Sequence, residues 1–169
     1  RTPEYIAAKI SDIPGVRSFE TRITASALLD VEGLNEPVTA KLHSLPHHGE
    51  PKLNLVVLRE GRLPRSDRAD EVLILEAFAQ ANRLNVGDQI TAILNGVKRD
   101  LVITGLVLSP EYVYAIAPGQ IIPDARRFGV IWMGRDHLGT AYDLDGAFNE
   151  ILLKLDRNAL EDFVLDEVY

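Results

Sequence analysis

The sequence predicts an α+β fold. Helical spacing appears only near the two chain ends and in short central pieces, alternating stretches fill the space between, and one Asn-Gly turn sits inside a β-branched region. Across 169 residues, 46% are apolar and 25% charged. That composition supports one ordinary domain with a real core.

Residues 3–13 read as a helix. Thr2 stands where an N-cap belongs, Pro3 at the first helical position and Glu4 in the first turn. Ile6, Ile10 and Ile13 fall on one face, and Pro14-Gly15 ends the element. Residues 16–32 alternate at period two. Phe19, Ile23, Ala25, Ala27, Leu29 and Val31 share one face, opposite Glu20, Arg22, Thr24, Ser26, Asp30 and Glu32. This pattern predicts one long half-buried strand. A turn over 33–37 returns it through Val38, Ala40 and Leu42.

Residues 53–58 and 71–75 read as short strands, with a helical stretch through Ala81 after the second. Asn95-Gly96 predicts a type I′ hairpin turn between strands 89–94 and 97–108, with Gly105 as a candidate kink. A long apolar connection follows over 109–127. The last third reads as strand 128–133, helix 136–142, strand 148–155 and a final helix striped by Leu160, Phe163, Val164 and Val168. The strand–helix–strand unit would cross over right-handed.

The expected architecture is a porter-like α/β subdomain built from 1–49 and 123–169, with a β-rich lobe inserted over 50–122. Strands from the two chain ends would pair in one sheet, and both terminal helices would point the same way. The chain starts with Arg1 and stops at Tyr169 in mid-element, the pattern expected of an excised piece.

Net charge is −7, which disfavours a nucleic-acid partner because phosphate binding needs a basic face. Cysteine is absent, so no disulfide, thiolate metal site or cysteine nucleophile exists. His43, His47 and His48 cluster at a spacing that could bind zinc or nickel, but no carboxylate or further ligand falls at a convincing distance along the chain. A solvated loop is the simpler reading. No P-loop, dinucleotide fingerprint or nucleophile elbow is present. The expectation is no catalytic residue, no cofactor and no metal. A hydrolase remains a remote alternative, and it would need a serine within reach of His43, His47 or His137. Arg59, Arg62, Arg65 and Arg68 recur every three residues and could meet anionic lipid or partner carboxylates, although such a run is more often a solvated turn. Tyr112, Tyr114 and Ile116 sit in the apolar connection and are candidate partner or substrate contacts, as are Arg59 and Arg62; the equal alternative for the connection is that its side chains pack back onto the hairpin lobe.

The order of motifs resembles the periplasmic core domain of MacB-like, FtsX-superfamily ABC-transporter permeases. The opening Ile10-Ser11-Asp12-Ile13-Pro14-Gly15-Val16 is similar to the family's passage from its first membrane-linked helix into its first strand. Leu58 to Pro64, Glu71-Val72-Leu73-Ile74, Leu84 to Asp88 and Val102 to Leu106 resemble successive family segments. Ser109 to Tyr114 and Phe128 to Met133 are similar to a subgroup of permeases of unassigned substrate. The resemblance implies an extracytoplasmic domain of a bacterial inner-membrane permease. It also implies a cytoplasmic ABC ATPase partner, a permease dimer, and a domain that transmits motion of two membrane helices. Lipid, lipoprotein or a periplasmic protein is the implied contact, and a lipid- or lipoprotein-binding module is the alternative reading.

Overall fold

The computed structural model describes residues 1–47, 53–113 and 124–168. The chain opens with a short strand β1 (Thr2–Pro3) and a 3-10 helix (Glu4–Asp12). Strands β2 (Val16–Arg22), β3 (Thr24–Asp30) and β4 (Val38–Leu45) follow. Next come β5 (Val57–Gly61), β6 (Glu71–Leu75) and helix α1 (Glu76–Asn82). The Asn-Gly hairpin is β7 (Gln89–Leu94) and β8 (Val97–Leu108), and a 3-10 turn (Pro110–Tyr112) follows it. The last part is β9 (Phe128–Gly134), α2 (Arg135–Ala141), β10 (Ala147–Phe148), β11 (Glu150–Leu155) and α3 (Glu161–Val168).

The main sheet runs β5-β8-β6-β9-β4-β3-β7, and β7 pairs again with β8. Six of its seven strands therefore close a ring, and β5 hangs on the outside of β8. The long β8 makes closure possible. Its first half pairs with β7 and its second half with β6. The pairs β4–β9 and β6–β8 are parallel and the others antiparallel. β6 and the first six residues of β9 are buried along their whole length, as continuous apolar strands covered on both faces must be. Phe78 of α1 packs one such face, with its ring against Gly129.

The predicted hairpin turn is in place. Asn95 and Gly96 both have positive φ, 47° and 79°, as a type I′ turn requires. Gly105 marks a bulge opposite Val72/Leu73. A Cβ there would lie 2.8 Å from Leu58 Cδ1 and from Leu73 Cδ2, so the close approach of β5 and β6 to β8 requires glycine.

Several expectations are corrected. The N-terminal helix is a 3-10 helix, and its buried residues, Ala7 and Ile10, are three apart, the spacing that aligns on a threefold helix. Thr2 does not cap it; Thr2 and Pro3 pair with Phe148 and Ala147. The alternating stretch 16–32 is divided at Ile23. Residues 16–22 pair with β11, whereas 24–30 pair with β4 and β7. Alternation identifies a strand but cannot say which sheet each half joins. Ile23 still bonds across the gap: its N–H donates to Ser44 Oγ at 2.8 Å, and Ser44 N–H donates to its carbonyl at 2.9 Å.

The stretch 148–155 is likewise split. β10 pairs with β1, and β11 pairs antiparallel with β2. β9 and β11 thus belong to different sheets, and no right-handed crossover forms between them. Asp143 and Gly146, both at positive φ, turn the chain away from the main sheet. The strand expected over 53–58 lies instead at Val57–Gly61. β9 pairs with β4, within the expected chain-end part, and also with β6 of the expected lobe. Among the described residues the chain-end strands β1, β2, β10 and β11 pair only with one another.

Candidate functional site

The chain-end strands and the barrel meet around Ile23, and two arginines span the meeting line. Arg22 ends β2 and is 7% exposed. Its guanidinium makes a fork to Glu111, Nη1 to Oε1 at 2.6 Å and Nη2 to Oε2 at 2.7 Å. Its Nε donates to Glu150 at the start of β11. Burial works against the guanidinium's charge, but the two carboxylates outweigh it and raise its pKa. Burial likewise opposes ionisation of Glu111, yet Arg22 brings its carboxyl below the usual range. A planar fork of this kind fixes direction as well as charge.

Glu111 is positioned by local sequence. Ser109 caps the 3-10 turn, its Oγ accepting from Glu111 N–H at 3.3 Å, and Pro110 takes the first position. The next residue, Tyr112, turns into the barrel wall. Its hydroxyl hydrogen-bonds His43 Nε2, and its ring packs edge-on against Trp132 at 6.2 Å and tilted against Phe128 at 6.4 Å. His43 is 1% exposed. Burial, with the positive charge of Arg22 beside it, pushes its pKa down to about 3, so the imidazole is neutral at ordinary pH. Burial pushes the Tyr112 hydroxyl up to about 12. His43 Nδ1 has no hydrogen-bond partner among the described residues.

The second arginine, Arg135, begins α2 on the barrel side. Nη1 donates to the Thr21 carbonyl at 2.7 Å and Nη2 to Glu4 Oε2 at 2.7 Å. Thr21 Oγ1 completes the group by donating to Glu4 Oε1 at 2.6 Å. Asn149 adds a third tie, exchanging hydrogen bonds with the N–H and carbonyl of Thr24 at 2.8 and 2.7 Å. Barrel and chain-end strands are thus joined by charge-assisted bonds from both sides.

The residues singled out in the sequence fall in several places. Tyr112 belongs to this junction. Tyr114, Ile116 and His48 lie outside the described residues. The arginine series does not form a free cationic face. Arg62 forks onto Glu71, with both bonds 2.8 Å, and Arg65 N–H donates to the same carboxylate at 2.9 Å. Glu71 is 4% exposed, and the Arg62 fork lowers its carboxyl to about 2. Arg68 pairs with Asp70 at 2.7 Å, and Arg59 lies 3.7 Å from Glu76.

The described histidines do not converge on a common site. His43 is in the core, His47 Nδ1 lies 3.2 Å from Asp136, and His137 bonds the Ser66 carbonyl at 2.9 Å. No group of three potential metal ligands occurs among the described residues. His43, Glu111 and Glu150 were not read as a unit from the sequence, because their contacts span up to 128 positions. The one local signal was Ser-Pro-Glu-Tyr, a capped turn presenting an acid and an aromatic side by side.

No family model and no curated protein matches the sequence. Solved structures do match. The periplasmic region of MacB from Actinobacillus actinomycetemcomitans is 18% identical, with a TM-score of 0.51, over 99% of this chain and 71% of that one. The extracellular domain of the noncanonic ABC-type transporter YknZ from Gram-positive bacteria is 10% identical, with a TM-score of 0.53, over 97% of this chain and 76% of that one. A domain of a protein described as a permease from Porphyromonas gingivalis is 17% identical, with a TM-score of 0.51, over 99% and 68%. Among the described residues no helix is long and apolar enough to cross a membrane. The α+β chain has the fold of the extracytoplasmic domains of MacB-like ABC-transporter permeases.

Proposed function

We propose that this chain is the extracytoplasmic domain of a bacterial inner-membrane ABC-transporter permease. In this reading it passes motion from two membrane helices, driven by a cytoplasmic ATPase, to a barrel that meets substrate or partner proteins. The observation that carries the reading is the likeness, along nearly the whole chain, to two such domains and to a further permease domain.

The junction chemistry supports the mechanical part. A domain pulled from its two ends must keep those ends together and must not bend where they join the load. Here the two chain-end segments are zipped as β1–β10 and β2–β11. Arg22 and Arg135 then tie them to the barrel with bidentate or charge-assisted bonds, which have fixed geometry. The strand pairings favour a working division between chain-end strands and barrel over one at 49/50 and 122/123.

The test uses the full-length permease in proteoliposomes with its ATPase. The double variant Arg22→Met/Arg135→Met should keep ATP hydrolysis and lose most transport. Equal transport by variant and wild type would sink the mechanical reading.

A second reading, a lipid- or lipoprotein-binding module, is favoured by one feature. An apolar groove of about 520 Å³ is lined by Leu55, Val57, Leu75, Leu108, Tyr112 and Val113. Photo-crosslinking from Val57 in membranes distinguishes the two: a lipid adduct supports this reading, and none beyond background removes it.

A further inference from the structure

The barrel has a second cavity at the end remote from the Ile23–Ser44 junction. The β3–β4 hairpin closes there through the turn at Gly33. A cleft of about 740 Å³ separates that turn from the end of α1 and the start of β7. Its size is that of a small-molecule site.

Two arginines line it, Arg83 and Arg126. Among the described residues neither has a carboxylate within 4.0 Å, whereas all four arginines of the 59–68 series and both junction arginines do; Arg1, Arg17, Arg99 and Arg157 also lack one but do not line this cleft. Segment 114–123, adjoining Arg126, contains no Asp or Glu. Arg83 also sits in left-handed backbone, φ 56°, just past α1. Glycine is the usual residue there because it takes that conformation without a Cβ penalty. The backbone bonds from Arg83 N–H to Ala79 and Gln80 would form with glycine as well. The local fold therefore gives no reason for an arginine, whereas the cleft does.

Asn82 braces the cleft wall beside Arg126. Its Nδ2 donates to the carbonyls of Phe78 and Arg126 at 3.0 and 3.1 Å, which fixes the amide. Its Oδ1 is buried with no partner among the described residues, and a buried acceptor left unpaired is costly. Two acids also line the cleft. Asp88 Oδ2 is turned to Asn85 N–H at 2.7 Å, and Glu32 stands on the hairpin side, which favours a ligand presenting donors there.

We propose that this cleft binds a small anion, a carboxylate or phosphate that also carries a hydroxyl or amide donor. Arg83 and Arg126 hold its charge, and Glu32 on the hairpin side accepts from its donor. The inference is independent of the mechanical reading and lies at the other end of the barrel.

Two probes separate the anion classes: glycerol 3-phosphate for phosphate with hydroxyl, and alanyl-alanine for carboxylate with amide. Amide-shift titration of the 169-residue chain should show saturable binding of at least one, centred on residues 31–34, 82–89 and 124–127. Arg83→Gly keeps or improves the backbone fit and removes one cation, and Arg126→Gln removes the other. Each should weaken binding about tenfold or more, the usual effect of losing one charge-assisted bond. No saturable shift with either probe at about 10 mM, a level too high for a functional site, overturns the proposal. So does binding unchanged within about threefold in either variant.

Discussion

Lowering the pH from about 7.5 to about 5.5 should destabilise the fold by about 1.4 kcal/mol through His43 alone. The magnitude follows from linkage. In the unfolded chain His43 titrates at 6.5, and in the fold burial and Arg22 hold it near 3. The folded pKa is the lower one. The stabilising term is therefore complete above the unfolded pKa and is lost as pH falls from 6.5 towards 3. One unit below 6.5 the unfolded imidazole is about nine-tenths protonated while the folded one is neutral, a difference of about 1.4 kcal/mol. This figure does not depend on the precise folded value, provided it lies well below 5.5. Urea unfolding at the two pH values reads it directly. With a slope of about 2 kcal/mol/M, the midpoint should fall by about 0.7 M more in the wild type than in His43→Gln. Gln can keep a bond to Tyr112 but has no proton to gain, so any constant cost of the substitution cancels. Equal losses in the two proteins would refute the reasoning and mean that His43 accepts a proton without unfolding.

Three further outcomes follow from the same contacts. Gly105→Ala should cost about 2–3 kcal/mol in urea unfolding, because its Cβ would meet Leu58, Leu73 and the Arg62 carbonyl at 2.8–2.9 Å; a loss below about 0.5 kcal/mol would show that β5 yields easily. Arg22→Met should destabilise by about 2–3 kcal/mol, less than for a fully buried pair because Glu111 and Glu150 retain some water contact; a neutral result would reduce the fork to decoration. Glu71, held at about 2 by Arg62, should contribute stability above its unfolded value near 4.5 that disappears as pH falls from there towards 2. Glu71→Gln should flatten that part of the acid-unfolding curve, and an unchanged curve would contradict the assignment.

Local chemistry was legible in the sequence. The Asn-Gly turn specified β7 and β8 to the residue, since two consecutive positive φ values admit few sequences. The strands expected over 71–75 and 128–133 are also in place as β6 and β9, and the α+β class followed. The partner of each strand was not legible. Residues 16–32 read as one alternating stretch through Ile23, so the period does not say that Arg22 faces β11 while Thr24 faces His43 of β4. That switch is set by contacts more than a hundred positions away, such as Asn149 with Thr24. The junction was hidden for the same reason. Arg22 read as one residue of a wet strand face and His43 as one of a histidine cluster. Only closure of the barrel brings them beside Glu111 and Tyr112. The arginine series hides its partners in the same way: Arg62 and Arg65 stay exposed, yet both reach the buried carboxylate of Glu71, which their spacing alone does not name.

The stiffness of the junction is tested most directly by pulsed electron–electron resonance between spin labels at Arg17 on β2 and Lys98 on β8. Both side chains are exposed, on opposite sides of the Arg22–Arg135 ties. The wild-type chain should give one narrow distance distribution, and Arg22→Met/Arg135→Met a distinctly broader one. A broad or two-peaked distribution in the wild type would contradict a stiff junction and make Ile23 a hinge.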